Sequence, residues 1–235
     1  MRHAIWISLP VFLLAAGAAA AQPSDRDMKR CNNDIDNVVI SGCTAVIKSG
    51  KASEADLVTA YKNRCLAYID KRDQDRAIAD CDEALKLKPD NLDAMLFRGQ
   101  AYFDKGDFDR AIQDYGQAIA MKPDLSAAYM DRGIAYHKKG DNGRAIEDYN
   151  QAIKLEPGYS PAFYVRAIAH QEENDKAEAM KDYDESIRLT PKYAASLYRR
   201  GVLKEEMGDV PAGQADIALA TKLNPNVVQI GTSTK

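Results

Sequence analysis

Apolar residues recur every three or four positions along most of the chain, the rhythm of amphipathic helices. Met95, Gly99 and Tyr102 step by four and three. Lys105-Gly106-Asp107 then interrupts, and Ala111, Tyr115, Ala118 and Ile119 resume the beat. The pattern predicts two helices joined by a tight turn. Gly can end the first helix without a Cβ penalty, and the Asp beside it can cap the second. The same text returns at a fixed interval. Pro89, Pro123, Pro157, Pro191 and Pro225, five of the nine prolines, stand 34 residues apart. Each is placed to stop the second helix of a unit, and a period in this range marks a repeat array. Five units follow, at 58–91, 92–125, 126–159, 160–193 and 194–227.

Numbered within the unit, several positions keep their chemistry. Position 7 is Arg64, Arg98, Arg132, Arg166 and Arg200, and position 23 is Asp80, Asp114, Asp148, Asp182 and Asp216. Position 16 is Asp in all five units, at Asp73, Asp107, Asp141, Asp175 and Asp209. Positions 8, 20 and 27 are mostly Gly or Ala, which lets helices approach closely. An antiparallel hairpin brings position 7 near position 23, and a guanidinium forks well onto a carboxylate. Five intra-repeat ion pairs are therefore expected, each worth about 0–1 kcal/mol where exposed. Ser160-Pro161 reads as an N-cap followed by Pro at the first helical position. Fivefold repetition of Arg and Asp at fixed positions points to scaffold rather than catalysis.

The third unit carries Tyr129, Gly133, Tyr136, Ala145, Tyr149, Ala152 and Pro157 at positions 4, 8, 11, 20, 24, 27 and 32. With this set the chain resembles the tetratricopeptide repeat family over 170 of its 235 residues. The resemblance implies an all-α, right-handed solenoid of helix-turn-helix repeats. Arg at position 7 departs from that family's Leu in every unit. The fifth unit departs further, with Lys204, Gly213 and Ile217 at positions 11, 20 and 24.

Residues 22–57 read as a cysteine-containing helical cap, a degenerate sixth hairpin. Cys43-Thr44-Ala45-Val46-Ile47 echoes Cys81-Asp82-Glu83-Ala84-Leu85 at a separation of 38, which predicts a four-residue insertion near 49–53. The stretch is also similar to one in exported bacterial members of the family. An irregular first unit suits the end of a solenoid, where one face must meet water. Residues after Pro225 are expected to fray, with 228–235 a flexible tail.

The N-terminus carries a basic start, the apolar run 4–16 and small residues up to Ala21. This reads as a secretory signal peptide cleaved after Ala21, with the product in the bacterial periplasm and no membrane span left after cleavage. Export permits disulfides. Four cysteines allow three pairings. Cys31–Cys43 is the expected structural bridge because both lie outside the regular repeat. Cys65 and Cys81 read as small buried thiols at helix contacts, and their oxidation state is left open.

Composition narrows the function. Thirty-two basic against 35 acidic residues give a net charge of −3, without the basic excess of a nucleic-acid binder. His137 and His170 are the only histidines beyond the leader. No nucleophile, acid–base or metal-ligand set assembles around them. The reading is a protein that is not an enzyme and uses no cofactor or metal.

In tetratricopeptide repeat proteins the first helix of each unit lines a concave groove, through positions 2, 5, 6, 9, 12 and 13. The resemblance places Lys62, Asn63, Leu66, Phe97, Gln100, Phe103, Met130, Asp131, Ile134, His137, Tyr164, Ile168, Tyr198 and Arg199 there. That strip is largely apolar and aromatic, as binding surfaces are. The clamp that some family members close on a carboxylate terminus is not expected. Its five positions hold Lys62, Leu66, Phe97, Ala127 and Asp131. The function expected is a scaffold that binds a peptide or helix of a partner protein along this groove. The competing reading is a structural subunit of an envelope complex that self-associates through Ile217, Leu219, Ala220 and Leu223. The oligomeric expectation is a monomer or weak homodimer.

Overall fold

The computed structural model describes residues 24–228, so the expected signal peptide and residues 229–235 of the expected tail lie outside the described residues. Among the described residues there are twelve α-helices and no strand. They run α1 (Asp25–Cys31), α2 (Asp36–Lys48), α3 (Glu54–Asp70), α4 (Gln74–Leu87), α5 (Leu92–Asp104) and α6 (Phe108–Met121). The series continues with α7 (Ser126–Lys138), α8 (Asn142–Leu155), α9 (Ser160–Glu172), α10 (Lys176–Leu189), α11 (Ala194–Glu206) and α12 (Val210–Leu223). Each odd helix packs on the even helix after it, and each even helix packs on the next odd one. The odd helices α3, α5, α7 and α9 also touch one another in succession, which the even helices do not. The odd helices therefore form the inner wall of a right-handed solenoid.

The turn inside each repeat explains two periodic residues. Position 15 takes a positive φ in all five units: Arg72 58°, Gly106 84°, Gly140 79°, Asn174 62° and Gly208 94°. Glycine enters this region without steric cost. The next residue, the position-16 Asp, caps the second helix, accepting from the backbone N–H three residues on at 3.1–3.3 Å. In three turns the carboxylate also holds an arginine, Arg76, Arg110 or Arg144, that stacks on Tyr68, Tyr102 or Tyr136 at 4.3–4.6 Å. These arginines lower the pKa of Asp73, Asp107 and Asp141 through side-chain hydrogen bonds. Ser160 departs from its expected role. Tyr159 is the N-cap of α9, and Ser160 is already helical. Its hydroxyl is 2.7 Å from Thr190 Oγ1, and its carbonyl accepts from Ser186 Oγ at 3.1 Å.

The position-7 arginines each fork onto the position-23 aspartate of their own hairpin, with both bonds at 2.6–2.8 Å. The aspartate side chains are only 4–12 % exposed. The exposed-pair energy does not apply at that depth, because losing one partner strands the other away from water. The third guanidinium nitrogen does something the sequence did not announce. It reaches back to position 25 of the preceding unit, bonding Thr44 at 2.9 Å, Asp82 at 2.7 Å, Asn150 at 2.5 Å and Asp184 at 2.7 Å. One side chain thus closes a hairpin and ties it to its neighbour. Only Arg132 lacks this link among the five, because Gly116 occupies position 25. A Cβ built on Gly116 lies 3.5 Å from Arg132 Nη1, an ordinary contact distance. Gly116→Asp should therefore raise stability by about 1 kcal/mol, from removal of a mid-helix glycine and addition of the missing link. Urea unfolding monitored by circular dichroism measures it.

Two cystines anchor the N-terminal end. Cys31 and Cys43 join α1 to α2, and Cys65 and Cys81 join α3 to α4. The alternative left open for the second pair thus resolves in favour of a bridge. All four are fully buried. Cys65 and Cys81 occupy positions 8 and 24, where the second and third units place Gly against Tyr. A Cβ on Gly99 would lie 2.8 Å from the Tyr115 ring, and one on Gly133 2.6 Å from Tyr149. The disulfide fills the space that a ring fills elsewhere. The four extra residues form a first turn of α3 at 54–57, just after the expected stretch 49–53, so that α3 has 17 residues where α5 has 13.

The last hairpin closes by other means. Lys204, standing where three units have Tyr, joins Arg200 on Asp216 at 2.8 Å. Burial raises the Asp216 pKa, but these two cations outweigh it and leave the carboxyl lowered. Gly201 and Gly213 face each other so closely that a Cβ on either meets the other's carbonyl at 2.7 Å. Beyond Pro225 the chain does not fray at once. Val227 is 1 % exposed and packs with Leu197 and Ala220.

Candidate functional site

The inner wall presents one helix from each unit. Its apolar residues are less open than the helical strip suggests. Phe97 rests against the core of the first unit, and Phe103 against Tyr102 and Tyr115. Ile134 packs on the third unit's core. Tyr164 stacks edge-on with Tyr193 at 5.3 Å, and Tyr198 leans on Leu197 and Val227. Met130 and Ile168 are 6 % and 7 % exposed. Met130 belongs to the third unit's core, which corrects its assignment as a groove contact, while Ile168 keeps only an edge on the wall. Met130 points into the seam between α7 and α9. Leu66 is the only large apolar residue of the strip that is exposed.

Several polar members serve the scaffold. Asn63 donates to Cys31 O at 3.1 Å and to Asn32 Oδ1 at 2.9 Å, fastening α3 to the cap. Lys62 pairs with Asp93 at 3.0 Å, and His137 Nε2 lies 3.0 Å from Glu172. Gln100 donates to Asp104 at 2.7 Å.

What remains open along the wall are three hollows. The first, of about 360 Å³, lies between the cap and α3 and is lined by Asn63 and Leu66 with Asn32, Asn33, Asp34, Asp36, Val39, Ala67 and Asp70. The second, of about 80 Å³, lies between α5, α6 and α7 and is lined by Gln100, Phe103, Tyr115, Asp131 and Ile134. The third, of about 380 Å³, is lined by Ile168, Gln171, Glu172, Asn174, Lys176, Arg199 and Glu206. Reading positions on one helix missed Tyr115, which reaches the wall from an even helix, and Asp36, which belongs to the cap; Asp70 and Glu172 stand at groove position 13 but were not among the residues singled out. A burial test on position 24 would have flagged the tyrosine, since its hydroxyl must find water or a partner.

Asp131 is the unusual group here. It is half-buried, and no hydrogen bond or ion pair reaches its carboxylate among the described residues. Burial alone pushes its pKa up to about 6. A carboxyl whose folded pKa exceeds its unfolded value binds protons more tightly when folded, so stability falls as pH rises between the two values. Asp131→Asn should therefore be more stable than the wild type above about pH 6, by about 1–3 kcal/mol. The advantage should close below about pH 4. Urea midpoints of both proteins across that range measure it.

Among the described residues no group of His, Cys, Asp and Glu is spaced to hold a metal ion, and no helix is long and apolar enough to cross a membrane.

Family models agree with the 34-residue frame. Models of the tetratricopeptide repeat match residues 58–91, 126–159 and 160–193, and a further TPR repeat model matches 99–140. Together they cover 129 of 235 residues. No curated protein sequence matches the chain. Solved structures share the fold. MamA 41-end from Desulfovibrio magneticus RS-1 is 14 % identical with a TM-score of 0.68, over 74 % of this chain and 98 % of that one. YrrB, described as a TPR protein with an unusual peptide-binding site, is 18 % identical with a TM-score of 0.59, over 73 % and 90 %. TTC0263 of Thermus thermophilus, a thermophilic TPR protein, is 17 % identical with a TM-score of 0.58, over 77 % and 98 %. With its repeat register, its hairpin geometry and these matches, the chain belongs to the tetratricopeptide repeat family.

Proposed function

We propose that this protein is a non-enzymatic scaffold of the bacterial periplasm that holds a peptide or helix of a partner protein along its inner wall. One observation carries the reading: three hollows follow one another in repeat order, each with residues of an odd helix in its lining, α3 in the first, α5 and α7 in the second, α9 and α11 in the third. The middle hollow joins apolar Phe103 and Ile134 to a few polar groups, the usual make-up of a binding site, and the outer two are mainly polar. The similarity to YrrB, whose description names a peptide-binding site, supports it. Export is supported by the two buried disulfides, which persist in oxidising compartments, and by the leader-like N-terminal sequence.

Gln100→Trp fills the middle hollow from an accessible position. Capture of partner protein from the host's envelope fraction should be lost while melting stays unchanged. Undiminished capture would count against the inner wall.

A second reading has its own observation. Met207, Val210, Leu219 and Leu223 are 37–55 % exposed at the end of the array, past which there is no further helix among the described residues. Self-association through this face would appear in light scattering as a dimer that Leu219→Asp with Leu223→Asp dissolves. Ile217 is unsuitable for that test, because it packs inside its hairpin against Gly201.

A further inference from the structure

We propose that the hollow between α5, α6 and α7 receives one lysine side chain of the partner, its ammonium seated on Asp131. The inference rests on the inner wall being the binding surface and names what the middle of that surface recognises.

The hollow offers three oxygen acceptors from three helices. Asp131 brings a carboxylate with no donor of its own chain on it. Gln100 gives its amide donor to Asp104, which leaves its carbonyl oxygen as the acceptor. Tyr115 is 1 % exposed, lines the hollow, and its hydroxyl makes no hydrogen bond to the chain. An ammonium has three donors and no acceptor, the complement of a hollow lined by oxygen acceptors. Phe103 and Ile134 complete the lining with apolar surface suited to an alkyl stem. A guanidinium fits less well. Its planar fork favours bidentate carboxylates, and the space is only about 80 Å³. Among the described residues no cation lines the hollow. A carboxylate in this place costs the free protein stability, and a partner's cation would offset that cost. The neighbouring surface agrees in sign, since the hollow beside the cap holds Asp34, Asp36 and Asp70 and no cation.

The test is selection of phage-displayed random peptides on the immobilised, oxidised full-length product. Enriched peptides should share a lysine. Its replacement by norleucine should weaken binding by about tenfold or more. Asp131→Asn should bind the lysine and norleucine peptides about equally, with helicity unchanged. Peptides that bind the inner wall, and lose binding to Gln100→Trp, yet are indifferent to lysine or to Asp131→Asn would overturn the lysine assignment and leave the groove reading standing. No enrichment, or binders indifferent to Gln100→Trp, would overturn both.

Discussion

Replacing Cys65 and Cys81 together by alanine should lower stability by about 3 kcal/mol, the chain-entropy value for a cross-link across a loop of this size. The bridge spans 16 residues and joins the two helices of the first regular repeat at a Cα separation of 5.5 Å. Part of the loss is packing, because both side chains are fully buried and alanine leaves a void between α3 and α4. The register of the array supplies the control. Positions 8 and 24 hold Gly99 with Tyr115 and Gly133 with Tyr149, and each ring fills the space its glycine vacates. Cys65→Gly with Cys81→Tyr should thus recover part of the stability that the alanine pair loses, although it restores no covalent bond. Urea midpoints of the three oxidised proteins check both statements. If the alanine pair matched the wild type, the bridge would not support this repeat.

The second large effect belongs to the forked pairs. Asp148→Ala should cost about 2–3 kcal/mol, at and just below the lower end of the range for breaking a buried ion pair, since Arg132 keeps some contact with water. Arg132 is the arginine with no second partner, because Gly116 stands where Asp82 and Asp184 stand in other units. Asp114→Ala should cost less, because Arg98 retains Asp82 at 2.7 Å. The ordering is the informative result. Equal losses in both variants would show that the inter-repeat bond contributes nothing.

These two cases also show how much of the molecule its sequence discloses. Helix boundaries follow from periodic prolines, from position-16 aspartates that cap, and from glycines that turn the chain. The Arg–Asp spacing brings positions 7 and 23 into register because a helical hairpin admits few geometries. The backward link was hidden because position 25 is Thr, Asp, Gly, Asn and Asp in successive units, so no single letter recurs. The Cys65–Cys81 bridge sits in register with Gly–Tyr pairs, yet two cysteines and a glycine-tyrosine pair look unrelated until both are seen to occupy one volume.

The binding wall was the least legible part. Periodicity says which residues share a helix face, but not how far the adjacent helix covers that face. Hence Met130 is buried in a seam, Ile168 reaches the wall only by an edge, Asn63 is committed to the cap, and Leu66 alone is an exposed apolar contact. The hollow at Asp131 draws residues from three helices and two repeats, which no reading along one helix assembles. Asp131 itself was on the expected surface, but its lack of a partner emerges only once every neighbouring donor has been placed.

The most direct test of the central claim is site-specific photo-crosslinking in the host envelope, with a photoreactive phenylalanine analogue at Phe97 or Gln100 on the inner wall, at exposed Gln117 on α6, and at Leu219 on α12. The account predicts partner adducts from the two inner positions and none from Gln117 or Leu219. Adducts confined to Gln117 or Leu219, with the inner wall silent, would contradict it.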